Sequence, residues 1–324
     1  MKTILTWRRF WALVCLALTV VLLSGSETFA QTRLRKQMDF DNDSKADFAI
    51  FRAGNNLNAW YVLKSAGGII GQTFGIATDW QTPGDFDGDN KADICVWREA
   101  NGTFYYIRSS DGVVAAQNWG LSGDEPVPRD YDGDNITDFA VVRRSGNALI
   151  WYIRESMTGN LRVANFGIST DFIAPGDYDG DGKFDVAVQR GSLMNGQATF
   201  YIQQSTAGFA VIQWGLSNDF VVPGDYDNDG KTDIAVVRDV SGVFTWYVRL
   251  SGSGGALLAA AFGASATDFT VQNDYDGDGR CDMAVFRDAG GTGTFYIRKT
   301  IDGSLVVQPW GLTADIPVAS FDTH

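Results

Sequence analysis

DYDGDGKFD (Asp177–Asp185) has five near copies in the same chain: DFDNDSKAD from Asp39, DFDGDNKAD from Asp85, DYDGDNITD from Asp130, DYDNDGKTD from Asp225 and DYDGDGRCD from Asp274. The copies begin 45 to 49 residues apart and cover most of the 324 residues. A fixed period in this range defines an architecture of repeated units, each too small to bury its own apolar face. The same parts follow each Asp string. First comes an alternating Val/Ile/Phe segment ending in Arg (Arg52, Arg98, Arg143, Arg190, Arg238, Arg287). Next is an aromatic segment carrying Tyr61, Tyr106, Tyr152, Tyr201, Tyr247 or Tyr296, and then a segment ending in an aromatic-Gly pair at Phe74, Trp119, Phe166, Trp214, Phe262 or Trp310. A further Asp and a short PVP- or IAPG-type segment lead into the next copy. Period-two alternation bounded by Gly and Asn reads as short strands.

Four strands per unit, with no helical periodicity, predict an all-β, six-bladed β-propeller of four-stranded blades. The aromatic-Gly pairs are expected to fill the space between blades. Seven blades, the alternative, need about 330 residues at this period, whereas 294 follow residue 30. The tail Ile316–Asp322 (IPVASFD) repeats the fourth strand and is expected to close the ring.

Residues 1–30 read as a signal peptide: Arg8 and Arg9 precede an apolar run from Phe10 to Leu23, and Ala30 supplies a small residue for cleavage. That run is 14 residues, short of the ~20 a membrane-spanning helix needs. The expectation is export to the periplasm, cell surface or medium, with residues 31–324 forming one propeller domain and no membrane insertion of the mature chain.

After that cleavage 23 basic and 38 acidic side chains remain, a net charge of −15. Such acidity excludes a nucleic-acid partner, because neutralising phosphates takes Lys and Arg. The acid is concentrated at positions 1, 3, 5 and 9 of the repeated string. The candidate metal ligands are therefore Asp39, Asp41, Asp43 and Asp47; Asp85, Asp87, Asp89 and Asp93; Asp130, Asp132, Asp134 and Asp138; Asp177, Asp179, Asp181 and Asp185; Asp225, Asp227, Asp229 and Asp233; and Asp274, Asp276, Asp278 and Asp282. Clustered carboxylates repel one another unless a hard cation sits among them, and calcium accepts six to eight oxygens in flexible geometry. About one calcium per repeat, up to six, is expected. An EF-hand is excluded, since its twelfth position requires Glu and here holds Ile50, Val96, Val141, Val188, Val236 and Val285. At ten times its dissociation constant each ion adds roughly 1.4 kcal/mol of stability, so six add roughly 8.

The DxDxDGxxD loop, the DIAVVR-type strand after it and the FG or WG pair resemble the FG-GAP or VCBS repeats of integrin-α-like β-propellers, over residues 34–322. The resemblance implies loops that bind calcium structurally and ligand recognition on other surfaces of the ring. The first loop departs from the pattern at Ser44 and the third at Asn135 and Ile136, and six blades depart from the integrin's seven.

These readings favour an exported, non-enzymatic binding or adhesion module whose partner is an extracellular protein or a glycan, with self-association possible. A lectin-like ring binding sugars between blades is the second reading, with the recurring Trp and Arg as contacts. A polysaccharide-active enzyme is the third. An active site usually breaks the symmetry of repeats, and the one His is the terminal His324, while the mature Glu residues, Glu99, Glu125 and Glu155, are assigned to solvated turns. No catalytic residue and no organic cofactor are assigned. Arg238 is expected to form a blade-to-blade ion pair with a neighbouring Asp. Cys95, at a position that is Ala in other repeats, reads as a small buried side chain, Cys281 as a free thiol in a loop, and no disulfide framework is expected.

Overall fold

Each second strand of a blade is the alternating segment after an Asp string, and both of its faces are apolar because each packs against a neighbouring sheet. In the third blade Ala140, Val141 and Val142 are completely buried. The third strand alternates buried and half-buried residues, and the outermost alternates half-buried and exposed ones. A computed structural model describes residues 37–54, 57–192, 194 and 196–319. The proposed signal segment lies outside them.

The strands form six antiparallel four-stranded sheets, the blades of a β-propeller. Blade 2 runs Asp79–Gln81, Ile94–Arg98, Thr103–Ile107, Val114–Asn118. Blades 3 to 6 repeat this order from Asp124–Pro126, Phe172–Ile173, Phe220–Val221 and Asp268–Thr270. Blade 1 takes its first strand from the other end of the chain: Ile316–Pro317 pairs with Phe48–Arg52, followed by Ala59–Leu63 and Ile69–Thr73. The tail thus closes the ring as expected as far as residue 319; residues 320–322 lie outside the described part.

One assignment is corrected by the pairing. The PVP-type segment is not the last strand of its own unit but the first strand of the next blade. Asp79 lies opposite Arg98, and Gly84 bridges to Asp93. Five Asp loops are therefore connections inside a blade, between its first two strands, and the first, Asp39–Asp47, leads directly into the second strand of blade 1. Antiparallel pairing also puts the Asp loops at one face of the ring and the crossovers between blades, with the recurring Arg, at the other.

Six clusters of buried apolar residues fill the six junctions between neighbouring blades. Their large side chains alternate. Blades 1, 3 and 5 carry Trp60, Trp151 and Trp246 on the third strand and Phe in the aromatic-Gly pair. Blades 2, 4 and 6 carry Phe104, Phe200 and Phe295 there and Trp in the pair. The pair tryptophans reach across the junction: Trp119, Trp214 and Trp310 donate their indole N–H to the carbonyls of Tyr152, Tyr247 and Tyr61 at 3.0, 3.2 and 3.2 Å. Such alternation closes on itself only with an even number of blades. The pair glycine is required by the backbone: Gly167 has φ 105°, and a Cβ there would sit 2.9 Å from Leu149 Cδ1.

At the crossover face each recurring Arg makes a bidentate pair with the Asp at the start of its own blade: Arg52–Asp315, Arg98–Asp79, Arg143–Asp124, Arg190–Asp171, Arg238–Asp219 and Arg287–Asp268. The expected blade-to-blade pair of Arg238 is thus an intra-blade one. What does join the blades is the second task of the same carboxylates. Asp219 Oδ2, for example, accepts the N–H of Leu216 in the crossover from blade 4. Each guanidinium also lies over a Tyr ring at 4.5 to 4.9 Å. In blade 2 that ring is Tyr105, not Tyr106, which packs against Phe86 and Phe139 instead.

Cys95 and Cys281 are both free and buried. Cys281 is corrected from a loop thiol to a core residue, since a Cβ added at Gly224 of the preceding blade would meet its sulfur at 2.6 Å.

Asp315 belongs to the closing strand, and its carboxylate, 2% exposed, is held by Arg52. Asp315→Asn keeps the shape and removes the charge. It should lower unfolding stability by about 2 kcal/mol, the range for a hydrogen bond to a charged group, read as a shifted urea midpoint with unchanged slope. An unchanged midpoint would mean that the ring closes without this pair.

Candidate metal centres

The six Asp loops share one backbone path. Positions 4 and 6 adopt left-handed conformations throughout, which explains their Gly and Asn: φ is 77° and 87° at Gly180 and Gly182, and 63° and 71° at Asn42 and Ser44. The first Asp imposes that path. Asp177 Oδ1 accepts the N–H of Gly180 at 2.7 Å, and its Oδ2 accepts that of Gly182 at 2.9 Å. Equivalent bonds run to Asp39, Asp85, Asp130, Asp225 and Asp274.

The fifth-position carboxylates Asp43, Asp89, Asp134, Asp181, Asp229 and Asp278 each accept the N–H two residues on. The ninth-position carboxylates clamp two segments. Asp185 Oδ2 accepts the N–H of Tyr178 at 2.9 Å and Oδ1 that of Ser205 at 2.8 Å. Asp47, Asp93, Asp138, Asp233 and Asp282 do the same in their blades.

The partner of that clamp was missed from sequence. Ser65, Ser109, Ser156, Ser205, Ser251 and Thr300 sit in the hairpin after the third strand, and the five serines also donate Oγ to the fifth-position Asp of their loop. Thr300 donates instead to the Cys281 carbonyl. A Ser or Thr four residues after the stacking Tyr in all six copies was the available signal; aligning on Tyr106 rather than Tyr105 hides it in the second copy.

The loop oxygens left without a protein partner are mostly those of third-position carboxylates. Asp41 and Asp227 have both oxygens buried without a hydrogen-bond partner, and Asp179 has one; in the sixth loop it is fifth-position Asp278 Oδ2. Buried acceptors of this kind are rare unless a ligand satisfies them. Six groups of three or more acidic or metal-ligating side chains bring ligand atoms within 4.8 Å of one another, five of them being Asp39, Asp41, Asp43; Asp85, Asp87, Asp93; Asp130, Asp132, Asp138; Asp177, Asp179, Asp185; and Asp225, Asp227, Asp229. Calcium–oxygen distances are about 2.3–2.6 Å, so a spacing up to twice that fits ligands of one ion. The donor set is all oxygen, which suits a hard cation.

Burial raises the affinity of these carboxylates for protons. Desolvation, with the neighbouring Asp charges behind it, pushes Asp47, Asp93, Asp138, Asp185 and Asp233 up to about 7 and Asp282 to about 8. Each holds a proton in the metal-free fold that the unfolded chain releases near pH 4. Their contribution is therefore greatest in acid and is lost as pH rises through about 7 to 8. Stripped of metal, the protein should melt at progressively lower temperature from about pH 5 to about pH 8, and millimolar calcium should abolish that decline by replacing the protons. A metal-free melting temperature that climbs over this range would contradict the assignment.

A cavity of about 580 Å³ lies at the opposite face, where the first strands of several blades converge on the axis. Glu125 lines it, on the strand Asp124–Pro126, so its assignment to a solvated turn is corrected.

Residues 130–188 match the FG-GAP-like repeat family. No curated protein matches the chain. Among solved structures, oligogalacturonate lyase in complex with manganese is similar at 10% identity over 86% of this chain and 77% of that one, with a TM-score of 0.49. Streptogramin B lyase is similar at 10% identity over 87% and 86%, with a TM-score of 0.41. A protein from Lactobacillus plantarum is similar at 11% identity over 85% and 97%, also with a TM-score of 0.41. These likenesses bring no activity to this chain, but two of the three proteins are enzymes, so the expectation of a non-enzyme, drawn from the regular repeats and the scarcity of His and Glu, is withdrawn. Two of the six Asp loops, Asp130–Asp138 and Asp177–Asp185, lie within the matched segment, and six blades with one such loop each fit an FG-GAP/VCBS repeat propeller.

Proposed function

We propose that the chain is an exported calcium-binding propeller that serves as a binding or adhesion module for an extracellular protein or glycan, with calcium holding the ring in shape. The observation that carries the calcium reading is the set of buried carboxylate oxygens left without partners in Asp41, Asp179, Asp227 and Asp278. The residues that would hold the ions are the first, third, fifth and ninth Asp of each loop. When bound, calcium supplies charge neutralisation to a chain of net charge −13. The chain's own loops shape the cradle through backbone N–H bonds. Export is supported by the N-terminal segment and by the extracellular setting usual for FG-GAP repeats. No helix among the described residues is long and apolar enough to cross a membrane.

Sugar binding between blades, the second reading, loses its proposed contacts. The Trp of three aromatic-Gly pairs are spent on bonds across junctions, and all six recurring Arg on ion pairs.

The test is a melt of the mature protein in millimolar calcium and in excess EDTA, with metal analysis of the purified chain. Calcium near one per loop and a large fall in melting temperature in EDTA are expected. Asp179→Ala with Asp181→Ala should remove one ion and part of that difference. No bound metal and superimposable melts would refute the calcium reading.

A further inference from the structure

The residue after the buried Asp of each first strand lies toward the crossover face, and in blades 2 to 5 it lines the axial cavity. It is Trp80, Phe172, Phe220, Phe269 and Ile316 in five blades, each between 40% and 51% exposed. At this position a large apolar side chain stays partly exposed in five blades, while other residues fill the blade junctions. Blade 3 alone differs. There the position is Glu125, held by Nε and Nη2 of Arg144, whose Nη1 donates to the carbonyls of Ser169 and Asp171. No other blade has Arg at the position of Arg144. The pair therefore breaks the repeat where Trp80, Phe172 and Phe220 line the same cavity.

We propose that this channel mouth binds the end of a neutral oligosaccharide. The inference rests on reading the chain as a binding module and gives that module a site and a ligand class. Three features select the class. A cavity of about 580 Å³ is of small-ligand size, whereas a folded protein partner needs a face of about 800 Å². The rim offers aromatic faces, whose negative quadrupole attracts the C–H face of a sugar ring, beside a fixed carboxylate–guanidinium pair with lone pairs left for hydroxyl donors. Its two ion pairs, Glu125–Arg144 and Asp219–Arg238, are internally neutral, and the chain's net charge of −13 repels polyanions. The buried Arg129 in the wall donates to the Pro128 carbonyl. An extended peptide is disfavoured because Pro83, Pro126, Pro128 and Pro175 line the walls and supply no N–H for strand addition.

Trp80 is the one exposed tryptophan among the described residues, so its emission reports on the rim. The calcium-loaded protein is titrated with cellohexaose, xylohexaose, mannohexaose and chitohexaose, followed by tryptophan fluorescence and calorimetry. At least one should give a saturable change, weakened tenfold or more by Trp80→Ala with Phe172→Ala and several-fold by Glu125→Gln. Phe209→Ala, exposed on an outer strand, should bind as the parent does. Melts in calcium confirm that each variant is folded and report on the calcium reading independently. The proposal fails if the folded protein binds none of the four sugars, or if the double variant binds as tightly as the parent. A peptide library selecting a ligand that needs Trp80 while the sugars do not bind would assign the rim to peptides instead.

Discussion

The first aspartate of each loop does two jobs at once. Its carboxylate gathers the N–H groups that fold its own loop, and its backbone carbonyl leaves the blade altogether. The carbonyls of Asp39, Asp85, Asp130, Asp177 and Asp225 accept the N–H of Ala92, Thr137, Phe184, Thr232 and Cys281 in the next loop round the ring, and that of Asp274 accepts the N–H of Ala46, all at 2.6 to 2.8 Å. Six backbone bonds thus run through all six loops in a closed circle. A loop that lost its shape would release its neighbour, so the stability of one face of the ring is the shared property of six loops. This is the physical reason for repeating an Asp-rich loop six times in a protein whose axial cavity lies at the other face.

The fold was legible because its period is carried by residues with strict local demands: Gly and Asn at left-handed positions, Gly after the pair aromatic, and apolar runs where both faces of a strand are covered. Blade boundaries were not, because sequence repeats carry no mark of where a sheet begins. The strand before each Asp loop follows the aromatic-Gly pair without a break, and only pairing of Gly84 with Asp93 assigns it to the next blade. The carboxylate ligands were legible as a spacing. The Ser and Thr that clamp the ninth-position Asp were hidden by their ordinary appearance in turns, and Glu125 because one acid among three looked incidental until convergence of first strands placed it at the axis.

The two faces divide the labour. The Asp loops lie at one end of the strands and are nearly identical, as a structural role requires. The crossover face has equally regular Arg–Asp pairs beneath it, but its rim departs from symmetry at Glu125 and Arg144. Repetition builds the support, and departure from repetition marks the place where a single ligand can be told from its mirror positions.

Ring closure shows how these layers cooperate. The chain runs on from blade 6 into the first strand of blade 1, so the closure between its two ends is made inside blade 1 and against blade 6 without a peptide bond, and it is furnished with every contact used elsewhere. Ile316–Pro317 pairs with Ile50 and Phe51, Ala46 bonds the Asp274 carbonyl, Trp310 reaches Tyr61, and Arg52 takes Asp315. Each contact spans more than 200 residues of sequence, and bringing such distant segments together costs closure entropy that grows only slowly with length. One hydrogen bond contributes about 1 kcal/mol net, too little to fix the junction alone. A backbone bond on the loop face, an indole bond between, and an ion pair on the crossover face fix it at three depths. That arrangement explains why Trp must occupy blade 6 and its carbonyl partner blade 1. Parity of the alternation, besides chain length, excludes a ring of seven.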